Sequence, residues 1–93
     1  MRVYLDSLWP DLWYFKVHGH DMQKTGVPDL VMCYRGIFIA PEVKVPGNTA
    51  SKKQDYEIAA IKAAGGVSGL VYSVDELKEM VDYGKDMAIR LHG

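Results

Sequence analysis

Leu30-Val31-Met32-Cys33-Tyr34-Arg35-Gly36-Ile37-Phe38-Ile39-Ala40-Pro41-Glu42-Val43-Lys44-Val45 holds two runs of apolar, β-branched and aromatic residues parted by a turn signal. If Arg35-Gly36 forms a two-residue turn, Tyr34 faces Ile37. Each step back along the first strand then matches a step forward along the second, and Asp29 faces Glu42. Opposed residues on a strand pair hold their β-carbons about 5 Å apart. Lys44 follows two residues later, on the same side of the strand and about 7 Å along it. Two opposed carboxylates repel, and a divalent cation with a preference for oxygen ligands, Mg²⁺ or Mn²⁺, would offset that cost. Such an ion activates water and neutralises phosphate charge, with the lysine assisting. From spacing alone, two solvated acids with a salt-bridging lysine are an equal alternative. Pro41 has no N–H and is a place for a bulge that would shift the register.

On the N-terminal side, Trp13–Val17 reads as a further strand and 18–28 as a loop. Pro46-Gly47-Asn48-Thr49 is a second loop. Ser51 with Gln54 makes a capping box that opens a helix, and Gly65-Gly66 closes it. Leu70–Tyr72 reads as a short strand. Ser73 with Glu76 is a second capping box, and Leu77, Met80, Val81, Gly84 and Ala88 recur at helical spacing to near Leu91. Residues 1–8 read as the tail end of a helix closed by Trp9-Pro10. The order is (α)βββαβα, an α/β sandwich with a mixed sheet.

The 93 residues make one domain, 48% hydrophobic and 25% charged, the balance of a globular chain. The N-terminus shows no apolar run behind a basic start, no stretch is long enough to span a membrane, and Cys33 is the only cysteine. A cytoplasmic location is expected. The net charge of −1 is low for a general nucleic-acid binder, but it is uneven. Through Lys62 there are eight Lys/Arg against seven Asp/Glu; beyond it there are three against five. Nucleic acid is therefore expected on the side away from the C-terminal helix.

Gly26-Val27-Pro28-Asp29-Leu30-Val31, then Glu42-Val43-Lys44, then Gln54, resembles the virus-type replication–repair nuclease (VRR-NUC) domain of the PD-(D/E)XK nuclease superfamily. Pro28-Asp29 is similar to the first half of the superfamily motif and Glu42-Val43-Lys44 to the second. Phe15-Lys16-Val17-His18-Gly19, Ala64-Gly65-Gly66 and Val71-Tyr72-Ser73-Val74-Asp75-Glu76 resemble flanking text of stand-alone phage members. The likeness covers roughly residues 12–80. It implies a restriction-endonuclease-like α/β fold, a mixed sheet flanked by helices. It also implies Mg²⁺ or Mn²⁺ held by Asp29, Glu42 and the Val43 carbonyl, with Lys44 catalytic and Gln54 beside them. Members of this type are homodimers that cleave branched DNA such as four-way junctions. One departure stands out: the family's acidic residue on a first helix has no evident match, Asp6 being the only acid there.

Lys16, Lys24, Lys52 and Lys53 are candidate phosphate contacts, and His18 and His20 candidate substrate contacts beside the site. Trp9 and Trp13 read as core or dimer-interface residues, with base stacking as the alternative. The expected function is a metal-dependent DNA endonuclease. The competing reading is a DNA-structure-binding module with a nuclease fold and no cleavage.

Overall fold

A computed structural model describes residues 1–17 and 25–93. His18, His20 and Lys24 therefore lie outside the described residues. The elements are α1 (Arg2–Asp6), β1 (Leu12–Lys16), β2 (Leu30–Tyr34), β3 (Ile37–Val43), α2 (Lys52–Ala63), β4 (Val67–Val71) and α3 (Val74–His92). This is the order expected from the sequence. The strands form one sheet in the order β1-β2-β3-β4, antiparallel across the first two junctions and parallel at β3–β4.

The hairpin forms as its turn residues require. Arg35 and Gly36 both take positive φ, 46° and 91°, the pair of values a type I′ turn needs to match the strand twist. Tyr34 faces Ile37, and the ladder runs through Cys33–Phe38 to Met32–Ile39. It stops there because the next hydrogen-bonded pair would join Leu30 to Pro41, which has no N–H to give. Pro41 still sits in register with Gly69 on the β4 side. Asp29 and Glu42 are thus not a laddered pair, a correction to the directly opposed geometry expected from the turn.

The sheet register sorts side chains onto two faces. Leu12, Leu30, Met32, Ile37, Ile39 and Val67 turn to one face and join the core with Leu5 of α1 and Leu77, Val81 and Ala88 of α3. The buried residues of α3 recur every three or four positions, a stripe that faces the sheet. Gly84 in that stripe lets the helix approach closely; a β-carbon there would overlap the Ile39 side chain.

The second face carries Trp13, Phe15, Val31, Cys33, Phe38, Ala40, Glu42, Ser68 and Leu70. Helix α2 lies over its β3–β4 half. Its start is the expected capping box: the Ser51 hydroxyl accepts from Gln54 N–H (3.1 Å), and Gln54 Oε1 accepts from Ser51 N–H (2.9 Å). Gly65, at φ 96°, ends the helix, with Gly65 N–H donating to Lys62 C=O and Gly66 N–H to Ile61 C=O, the two bonds of a Schellman motif. The Ser73 hydroxyl also caps its helix, but Glu76 Oε1 accepts from Tyr72 N–H. That cap is half of the box expected. Strand β4 begins at Val67, three residues earlier than read from the sequence, with the Ser68 hydroxyl donating to the Ala40 carbonyl at 2.6 Å.

Candidate active site

The site forms where β2 and β3 part. The β3 residues whose N–H groups point to β2 are the odd-numbered ones, and beyond Pro41 the next is Val43. Its N–H donates to Asp29 Oδ2 at 3.2 Å. The carboxylate of Asp29 thus takes the place of the strand partner that β2 no longer supplies. In a strand, a residue's N–H and C=O point to the same neighbour. The Val43 carbonyl therefore opens on the Asp29 side as well.

Asp29 is held from its other flanks by backbone. Its own carbonyl accepts from Val17 N–H at 2.8 Å. The turn ahead of it presses against α2 at Gly26, whose φ is 84°; a β-carbon there would lie 2.6 Å from the Lys53 carbonyl oxygen. Only glycine permits that approach, which brings the start of α2 to the carboxylate end of the strands.

Glu42 follows on the α2 face and is only 2% exposed. Burial pushes its carboxyl up to about 8, and hydrogen bonding to and repulsion from Asp29 act in the same direction. Lys44 and a Gln54 hydrogen bond oppose the rise by favouring the ionised form. Near neutral pH the Glu42 carboxyl therefore keeps its proton. These interactions bring Asp29, Glu42, Lys44 and Gln54 together. Gln54 Oε1 closes the capping box, and the Gln54 side chain also reaches Glu42.

Lys52 and Lys53 lie exposed on the first turn of α2, beside this group. Lys16 approaches from the opposite face of the sheet. With Arg2, Leu5, Tyr14, Asp29 and Val43 it lines an open groove of about 730 Å³ under α1. Asp6 is not among the residues that line this groove; it accepts a hydrogen bond from the Tyr14 hydroxyl at 2.8 Å and lies 3.9 Å from Arg2 Nε. Trp9 and Trp13 are 78% and 61% exposed, so neither is a core residue.

Two features escaped the sequence reading. Arg2 and Tyr14 contribute to the groove, which the strand pattern alone does not reveal. Glu57 is the buried residue of α2, three positions after Gln54 and on the same side of the helix. An acid among so few apolar positions was the signal available.

The donor set suits a hard cation. The Asp29 and Glu42 carboxyl groups interact, Glu42 buried and Asp29 half-buried, and the Val43 main chain lies against Asp29. Mg²⁺ characteristically takes one or two carboxylates and keeps several waters. Among the described residues no three His, Cys, Asp or Glu side chains cluster. No family model, curated protein or solved structure matches this chain. No helix of the described residues is long and apolar enough to cross a membrane.

Proposed function

We propose that the protein is a metal-dependent DNA endonuclease of the PD-(D/E)XK type, similar to VRR-NUC domains. The observation that carries this reading is the Asp29–Glu42 pair. A fold that buries Glu42 against another acid, at a carboxyl pKa near 8, maintains an unfavourable arrangement that a bound cation would relieve. Lysine and glutamine at the same point complete a set suited to phosphodiester hydrolysis.

In this reading Asp29, Glu42 and the Val43 carbonyl hold Mg²⁺ or Mn²⁺. The bound ion supplies a water of lowered pKa and charge neutralisation at the phosphate. Val43 N–H fixes the Asp29 carboxylate so that it need not reorganise during reaction. Gln54 orients Glu42 and favours its ionised form. The Lys44 ammonium orients the nucleophile or stabilises charge on the phosphoryl oxygens. Lys16, Lys52 and Lys53 contact flanking phosphates. The acidic C-terminal helix α3 packs on the opposite face of the sheet from Glu42, which leaves the α2 side for DNA.

The same reading extends to a cytoplasmic homodimer selective for branched DNA such as four-way junctions. Exposed Trp9, Ile89 and Leu91 supply apolar surface for association. Cleavage of a labelled four-way junction tests the assignment. Asp29→Ala, Glu42→Ala and Lys44→Ala should each abolish cleavage while remaining folded. A near-normal rate in any of the three removes the site. Competition with linear duplex and light scattering test selectivity and the dimer: equal cleavage, or a mass near the monomer's 10.4 kDa, removes each in turn.

A further inference from the structure

The α2 face of the sheet is covered over β3 and β4 but open over β1 and β2. Trp13 and Phe15 on β1 are 61% and 51% exposed, and Phe38 on β3 is 42% exposed. Single exposed aromatics are ordinary, whereas a group of them on one face marks a contact surface. The rings of Trp13 and Phe15 are parallel within 6°, with centroids 6.4 Å apart. Between them and Phe38 the floor is low, formed by Val31 and Cys33.

The register ties this surface to the carboxylates. Phe15 faces Val31, and two residues further Val17 bonds to Asp29. Phe15 therefore stands about 7 Å along the strand from the Asp29 row, and Trp13 about 7 Å beyond it. Lys44, Lys52 and Lys53 lie on the other side of the same carboxylates. A nucleotide has an anionic half and a flat aromatic half, and this face sets lysines and parallel rings on either side of the proposed scission point. Paired bases hide their faces inside the duplex; unpaired bases present them.

We propose that Trp13 and Phe15 form a stacking surface for unpaired nucleobases of the strand whose phosphodiester lies at Asp29 and Glu42. This rests on the phosphodiesterase reading and adds to it the part of the substrate that decides where cutting occurs. Stacking needs a π-face and no particular base, so the contact is tolerant of sequence.

Binding of a short fluorescent oligothymidylate, compared with a blunt duplex, tests the proposal. It is measured in EDTA so that affinity is read apart from cleavage. Trp13→Ala and Phe15→Ala should each weaken oligothymidylate binding about tenfold, the scale of one lost base–aromatic stack. Duplex affinity should stay near wild type, Trp13→Phe should restore most of the loss, and melting temperatures should not change because both rings are exposed. The native thiol of Cys33, exposed on the same floor, should alkylate more slowly with oligothymidylate bound. Equal losses for both DNAs, or none, overturn the proposal. So does a fall from dimer to monomer mass in Trp13→Ala, which would assign the face to a second copy of the chain. Loss of the aromatic dependence with cleavage intact removes only the stacking surface. Absence of cleavage with that dependence intact removes only the hydrolytic reading.

Discussion

Replacing Glu42 by glutamine should stabilise the metal-free protein while destroying its activity. In the fold, the Glu42 carboxyl stays protonated up to about pH 8; in the unfolded chain it ionises near the ordinary carboxyl value of 4.5. Between those values the folded state binds more protons than the unfolded state, so stability falls as pH rises through this window. Keeping the proton on at pH 7 corresponds to as much as about 3 kcal/mol, at about 1.4 kcal/mol per pH step. A glutamine has nearly the same shape, donates the same hydrogen bond toward Asp29 and needs no proton. The Glu42→Gln variant should therefore match wild type near pH 4.5 and exceed it by up to about 3 kcal/mol at pH 7. For a domain of this size that is a rise of roughly 10 °C or more in melting temperature. Urea and thermal melts in EDTA at pH 5 and pH 8 measure the difference. A gap that fails to widen with pH, or a variant less stable than wild type at pH 8, would refute the buried-carboxyl argument.

Two further outcomes follow from the same geometry. Mn²⁺ or Mg²⁺ should raise the melting temperature by relieving the Asp29–Glu42 repulsion. A hundredfold excess over its dissociation constant is worth about 2.7 kcal/mol, and the rise should be larger at pH 8 than at pH 6 because the ion displaces a proton; scanning calorimetry at both values checks this. Gly26→Ala should destabilise by about 1–3 kcal/mol and lower cleavage more than an equally destabilising change elsewhere, because it forces the Asp29 turn away from α2; denaturant melts paired with initial rates separate the two effects.

Much of the fold was legible because the local signals agree with one another. Arg35-Gly36 set the hairpin turn, Ser51 with Gln54 set the start of α2, and the Leu77–Ala88 stripe set α3. Strand β4 was half missed because Ser68 and Gly69 lack strand character; Ser68 is buried by donating to Ala40, a long-range bond that no local pattern records. The turn register correctly paired Tyr34 with Ile37 but could not carry as far as Asp29. Pro41 ends the ladder first, and Asp29 reaches β3 by side chain. That substitution, a carboxylate for a missing strand partner, is invisible in spacing, yet it sets Asp29 against Val43 and beside Glu42. The exposure of Trp13 was likewise beyond the sequence, since an aromatic in a strand reads equally well as core. The groove under α1 depends on where a five-residue helix lies, which its own residues do not specify.

Strand cleavage of supercoiled plasmid by the wild-type protein at pH 8, in Mn²⁺ and in EDTA, tests the hydrolytic site itself. Nicked circles should accumulate with time in Mn²⁺, with none in EDTA and none from Lys44→Ala in either. Cleavage that persists in EDTA or in Lys44→Ala, or intact plasmid under every divalent ion tried, would contradict it.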